Sequence, residues 1–306
     1  MTVSAARQTP RADCTAGDDG RITFDLDLDL DRDLDRDLDR DLDRDLGRGR
    51  REATALPELL LRRRGAKGTG GDGDTLRLPL GPLDGGRLRA VLPGTVAPAE
   101  GRWDVYVGDP GADVEGAVAV EPGIRDVRLL MDRAPEAERV AVRIPYPTAD
   151  GRLAVRCWTR SPHAEAGPLT FDGGRMTVEG VLYGIRLGDD ARVEARLAGA
   201  PDRVCRVPAV GAGGQDTFSF TVPFDRLHAG PATEPHLWTL WLVPATGTGE
   251  PAEGVRIARI LDDVWDRRNS FVYPGHSAGP GTRAVPCYSA DNDLCVRIEP
   301  VPARGR

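Results

Sequence analysis

Two stretches of this chain set aromatic rings beside hydrogen-bonding charges in matching order. Tyr146, Asp150, Arg156 and Trp158 fall in one, and Tyr288, Asp291 and Arg297 in the other. Rings stack on the apolar faces of sugars, while Asp accepts from and Arg donates to the flanking hydroxyls, so this combination points to glycan binding. A structural reading competes with it: Arg156 and Arg297 pair with acids across a sheet, and the tyrosines close its edge. Asp262-Asp263 beside Trp265 offers a second ring-and-acid pairing. Its structural alternative is a tryptophan laid on a sheet with acids capping a helical turn. His163, in Ser161-Pro-His-Ala-Glu165, completes the candidate binding set, and no residue is assigned a catalytic role.

Other chemistries find no pattern. The four histidines form neither HxxxH nor HExxH, and the five cysteines contain no CxxC and no zinc spacing. No nucleophile elbow, Walker A loop or dinucleotide fingerprint is present, so no cofactor is expected. The Asp-x-Asp repeats after Asp25 resemble a chelating pair but lack the α/β context of a nucleotide-sugar site. As a calcium loop counted from Asp25 they fail, because positions six and twelve hold Leu30 and Arg36.

The elements that must position these residues are written twice. Arg21-Ile-Thr-Phe-Asp25 with Leu28 returns as Arg175-Met-Thr-Val-Glu179 with Leu182. Gly123-Ile-Arg125 followed by Arg128-Leu-Leu130 returns as Gly254-Val-Arg256 followed by Arg259-Ile-Leu261. Pro145-Tyr-Pro-Thr-Ala-Asp-Gly-Arg-Leu-Ala-Val-Arg156 returns as Pro286-Cys-Tyr-Ser-Ala-Asp-Asn-Asp-Leu-Cys-Val-Arg297. Collinear matches with shifting gaps indicate two tandem domains of one fold. Both halves are chains of short alternating or apolar runs broken by Gly, Pro and Asp, and 37 Gly with 25 Pro favour turns over helices. The expected fold is all-β, with two tandem immunoglobulin-like β-sandwiches. Residues 20–160 form the first and 169–300 the second, joined by a linker at 161–168, with tails at 1–19 and 301–306. Asp150-Gly151 predicts a type I′ hairpin turn, with Asp291-Asn292 in the equivalent place. Leu261–Arg268 predicts one or two helical turns. Residues 31–56, mostly Asp-Leu-Asp-Arg repeats, predict a disordered low-complexity insertion in the first domain, since neither helix nor strand would gather their leucines on one buried face.

The net charge of −7 is local. Residues 25–45 hold eleven Asp and four Arg, which accounts for all of it. The remainder is neutral, and the one basic stretch, Arg48 to Lys67, adjoins the acidic tract and offsets it, so nucleic acid is not an expected partner. No long apolar run or leader-like segment stands out; a protein without a membrane span, in the cytoplasm with reduced thiols, is the expectation.

Pro145–Arg156, Ser161–Glu165, Arg259-Ile-Leu-Asp-Asp263 and Tyr288–Arg297 together resemble a group of actinobacterial, Streptomyces-type β-rich proteins labelled "transferase" and associated with cell-envelope glycosyltransferases. The resemblance covers most of residues 75–300 and brings no known catalytic residues; the acidic repeat departs from the group. It implies a non-catalytic accessory or binding module, with a glycan or a glycosyltransferase as partner. Two alternatives stand beside it: a transferase using carboxylates of an interdomain cleft, and a structural scaffold for a partner enzyme.

Overall fold

The computed structural model describes residues 9–28, 56–65, 73–111, 113–131, 133, 138–214, 216–228, 234–244 and 253–301. The insertion expected at 31–56 lies outside them apart from Leu56. The chain divides into two compact units, one of residues 1–133 with 141–159, the other of 134–140 with 160–306. Their regular structure is strands and short 3₁₀ turns, and no described helix is long and apolar enough to cross a membrane.

In the first unit, β1 (Arg11–Ala16), β2 (Ile22–Asp27), β5 (Gly81–Leu83), β6 (Arg87–Leu92) and β9 (Glu121–Asp126) form one sheet, in the order β5-β6-β2-β1-β9. The other sheet runs β10-β11-β7-β3-β4, from β3 (Glu58–Arg63), β4 (Thr75–Pro79), β7 (Gly101–Gly108), β10 (Val140–Pro147) and β11 (Leu153–Arg160). The two-residue β8 (Val118–Ala119) pairs with β7. Alternation sets the faces: Ile22, Phe24 and Leu26 point inward with no exposed surface, while Asp25 turns out and pairs with Arg89 at 2.6 Å. Residues read as a tail therefore contain β1, whose Ala12, Cys14 and Ala16 fill the same core.

The second unit holds β12 (His163–Asp172), β13 (Arg175–Tyr183), β14 (Arg192–Leu197), β15 (Ala200–Gly211), β16 (Thr217–Pro223), β17 (His236–Val243) and β18 (Val255–Ala258). These run β14-β15-β16-β13-β12-β18-β17, and β17 pairs with β14 again, which closes a seven-stranded barrel. From β17 the sheet continues through β21 (Leu294–Pro300), β20 (Thr282–Tyr288) and β19 (His276–Gly279). The expectation of two immunoglobulin-like sandwiches is thereby corrected, because a closed barrel has no pair of separate sheets to face one another. The closing strand is β15: its first part pairs with β14 and its last residues, Ala209 to Gly211, pair with β16. The corresponding stretch of the first unit is split at Leu80 into β4, on β3, and β5, on β6, so there the two sheets stay distinct.

Val178, Val193, Phe218, Leu240, Leu242 and Ile257 fill the barrel. Gly180 lets β12 and β13 close over it: a Cβ there would lie 2.5 Å from Phe218 Cε1 and within 2.3 Å of the Glu165 carbonyl oxygen. The linker expected at 161–168 is mostly β12, with His163, Ala164 and Ala166 buried. Leu261–Arg268, expected as helical turns, is a series of bends, in which Asp262 accepts a hydrogen bond from its own neighbour Val264 N–H at 3.0 Å.

Candidate functional site

The two matching hairpins share one geometry. Thr148 N–H donates to the Arg152 carbonyl and Gly151 N–H to that of Thr148; Ser289 N–H donates to Asp293 and Asn292 N–H to Ser289 in the same way. Only the third loop residue has positive φ, 77° at Gly151 and 59° at Asn292. Type I′ needs positive φ at both central residues, so the expected turn is replaced by a type I turn followed by a left-handed residue. The occupants of that position differ in consequence. Gly151 faces open space, whereas Asn292 has no exposed surface and carries an amide.

That amide clamps residues 259–275, the irregular segment between β18 and β19. Asn292 Oδ1 accepts from Arg267 N–H at 3.0 Å, and its Nδ2 donates to the Val264 carbonyl at 2.8 Å. From the other side the Glu165 carboxylate accepts from Ile260 N–H and Leu261 N–H, both at 3.0 Å, and lies 2.8 Å from His163 Nε2. Arg267 runs through the middle without exposed surface. Its Nε donates to the Arg259 carbonyl at 2.9 Å, its guanidinium forms a close ion pair with Asp262, and it lies 4.6 Å from the Phe271 ring centre and 5.5 Å from that of Tyr288. Burial holds the Arg267 pKa down to about 10, so the charge is carried at a desolvation cost that Asp262 and the ring faces offset. Asp293, next in the chain, is buried and receives Arg160 at 3.1 Å and Arg256 at 2.9 Å.

Three of the four motifs behind the sequence resemblance therefore converge here: Ser161–Glu165, Arg259–Asp263 and Tyr288–Arg297. Of the candidate residues, His163 is one of the clamps. Asp263 and Trp265 lie on the clamped segment, both half-buried. Tyr288 supports it from below, buried against Phe271 and Tyr273, with its hydroxyl pKa pushed up by burial. Asp291 is half-buried in the hairpin, and Arg297 lies apart, pairing with Glu299 at 2.7 Å. In the first unit, Tyr146, Arg156 and Trp158 are 6%, 3% and 0% exposed, with the Arg156 guanidinium 4.5 Å from the Trp158 ring centre. Such rings offer no face to a sugar, while Asp150 is exposed and paired with Arg152. Alternation within β10 and β11 failed as a guide to exposure because both faces of these strands are covered.

Glu165, Arg267 and Asn292 escaped the sequence reading as site residues, and Asp262, read there only as half of an acid pair beside Trp265, serves instead as the partner of Arg267. A signal existed for two of them: Glu165 closes the Ser-Pro-His-Ala-Glu motif, and Asn292 stands where the first copy has glycine. Among the described residues, no group of three His, Cys, Asp or Glu is placed to hold a metal ion.

No protein-family model matches this chain, and no curated protein matches it. Among solved structures it is similar to S. aureus TarS, at 14% identity and a TM-score of 0.27, over 69% of this chain and 35% of that one. A TarS fragment spanning 217–571 aligns at 14% identity and a TM-score of 0.28, over 71% of this chain and 56% of the fragment. A chimeric titin Z1Z2 functionalized with a KLER exogenous peptide from decorin aligns at 12% identity and a TM-score of 0.17, over 83% and 97%. This chain spans about a third of TarS, and TM-scores of this size carry no argument about fold or function.

Proposed function

We propose that this protein is a non-catalytic accessory module of cell-envelope polysaccharide systems, acting from the cytoplasm, and that residues 259–275 are its binding segment. The observation that carries the reading is the clamp. Long irregular segments in compact domains are most often functional, and ordering one before a ligand arrives removes an entropic cost of binding. Here three buried side chains, His163, Arg267 and Asn292, with the half-buried Glu165, fix a segment that contributes no strand to the barrel. It carries Asp263, Trp265, Asp266 and Arg268 at least partly open to solvent. The resemblance of the clamping motifs to envelope-associated actinobacterial proteins supplies the ligand class, a glycan or the enzyme that handles it.

The test is retention of the full chain on insoluble actinobacterial cell-wall polysaccharide, beside Trp265→Ala and Asp263→Asn. Retention that falls at least tenfold in Trp265→Ala, at unchanged melting temperature, supports the reading. Equal retention of both variants, or turnover of a nucleotide sugar by the native chain, overturns it.

A further inference from the structure

The outer face of the barrel bears a row of side chains that the strand register sets side by side. Arg206 on β15 stands opposite Glu194 on β14, Glu194 opposite Trp241 on β17, and Trp241 opposite Arg256 on β18. Arg192 and Arg196 flank Glu194 along its own strand. The Glu194 carboxylate, 8% exposed, holds Arg192 at 3.2 Å, Arg196 at 3.0 Å and Arg206 at 3.1 Å. The indole of Trp241 lies 4.6 Å from the Arg196 guanidinium and 5.0 Å from that of Arg256. Arg256 then passes to Asp293, 7% exposed, which also holds Arg160.

Five guanidinium groups are thus oriented by two carboxylates, and the two signs sit at different depths. The acids lie underneath, while Arg206, Arg256, Arg192 and Arg196 are 59%, 50%, 38% and 31% exposed. A ladder built only to hold strands together needs matched charges; this one sets four water-facing guanidiniums over two carboxylates, with the fifth, Arg160, 12% exposed beside Asp293. Neighbouring strands lie about 4.8 Å apart, so the row extends roughly 14 Å from Arg206 to Arg256. Planar guanidiniums fixed by carboxylates and by an indole face are prepared for bidentate donation to oxyanions.

We propose that this row binds an anionic glycan polymer, its guanidiniums donating to successive carboxylate or phosphate groups along the chain. The proposal deepens the reading of the protein as a polysaccharide-binding module and depends on it. Nucleic acid fits the row less well, because both neighbours of Trp241 in the row are charged groups and guanidiniums occupy the indole face that a base would stack on.

The test uses the full chain with polygalacturonate as the carboxylate polymer, inorganic polyphosphate as the phosphate polymer, neutral dextran, and single-stranded DNA. The native protein is expected to bind at least one of the first two at low salt and not dextran; which of the two it prefers identifies the oxyanion. Arg206→Gln/Arg256→Gln should weaken that binding about tenfold and flatten the slope of log affinity against log salt by about two. Arg206→Gln alone, at the most exposed site, carries the same test if the double variant misfolds, with a slope change of about one. Unchanged affinity in a folded variant, equal binding of dextran, or tighter binding of DNA overturns the proposal. Cell-wall retention that depends on Trp265 but not on these arginines removes the row and leaves the segment 259–275 reading standing.

Discussion

Replacing Asn292 separates the backbone role of the hairpin from its role as a clamp. Asn292→Gly keeps a residue at ease with φ 59° but deletes both amide bonds, leaving Arg267 N–H and the Val264 carbonyl without that partner. A buried hydrogen bond contributes about 1 kcal/mol net, and each buried group left unsatisfied costs about 1–3 kcal/mol. With two such groups the expected loss is about 2–6 kcal/mol in the stability of the second unit. Asn292→Ala adds about 1–2 kcal/mol, because a Cβ is disfavoured in the left-handed region. In the first unit the same backbone position is Gly151, and Gly151→Asn there should be within about 0.5 kcal/mol of neutral, since Asn tolerates this region and the surroundings are open. Urea unfolding gives the ordering. Hydrogen exchange of the Ile260, Leu261 and Arg267 amides shows whether the loss falls on the clamped segment. If Asn292→Gly leaves stability within about 0.5 kcal/mol of native and those amides equally protected, the clamp does not hold the segment and the reasoning fails.

Asp262→Asn strands the buried Arg267 charge and should cost about 3–5 kcal/mol, whereas Arg267→Met/Asp262→Leu should recover much of that; equal losses by thermal unfolding would contradict the ion-pair account. At Glu194, burial pushes the pKa up, but hydrogen bonds from Arg196, Arg206 and Arg192 outweigh it and leave a net lowering. Its folded pKa lies below the unfolded value of about 4.3, so its contribution is complete above that pH and is lost as pH falls through the folded value. Acid titration of stability should show this fall in the native chain and a shallower one in Glu194→Gln. Burial raises Cys14 and Cys157 to about 12 and also raises Cys205, Cys287 and Cys295, and Cys287 alone among the five is half-buried rather than buried. Iodoacetamide at neutral pH should therefore modify Cys287 first and the other four only on unfolding, as read by mass spectrometry.

The strands were legible because alternation is local: Ile22-Thr-Phe-Asp-Leu26 and Thr217-Phe-Ser-Phe-Thr-Val222 announce their buried faces without reference to a partner. The recurrence of short motifs between the two halves is legible in the same way, and the strand orders can be set side by side, β1-β2-β6 with β12-β13-β16 and β3-β7-β11 with β14-β17-β21. Closure was not legible. Whether β15 bridges two sheets or its counterpart breaks at Leu80 depends on hydrogen bonds between residues far apart in sequence, and a sandwich and a barrel bury the same alternate positions. The candidate site was half legible for a related reason. Sequence supplied the motifs around His163, Asp263, Trp265 and Tyr288, but exposure belongs to layers rather than to residues. Trp158 and Tyr146 are covered by tertiary packing, while Trp241, which alternation alone would place in an ordinary strand, lies between two guanidiniums on the outside of the barrel. The buried charges of Arg267 and Asp293 are the furthest from sequence, because an arginine is driven inside only when the fold has already assembled the carboxylates, carbonyls and rings that replace its water.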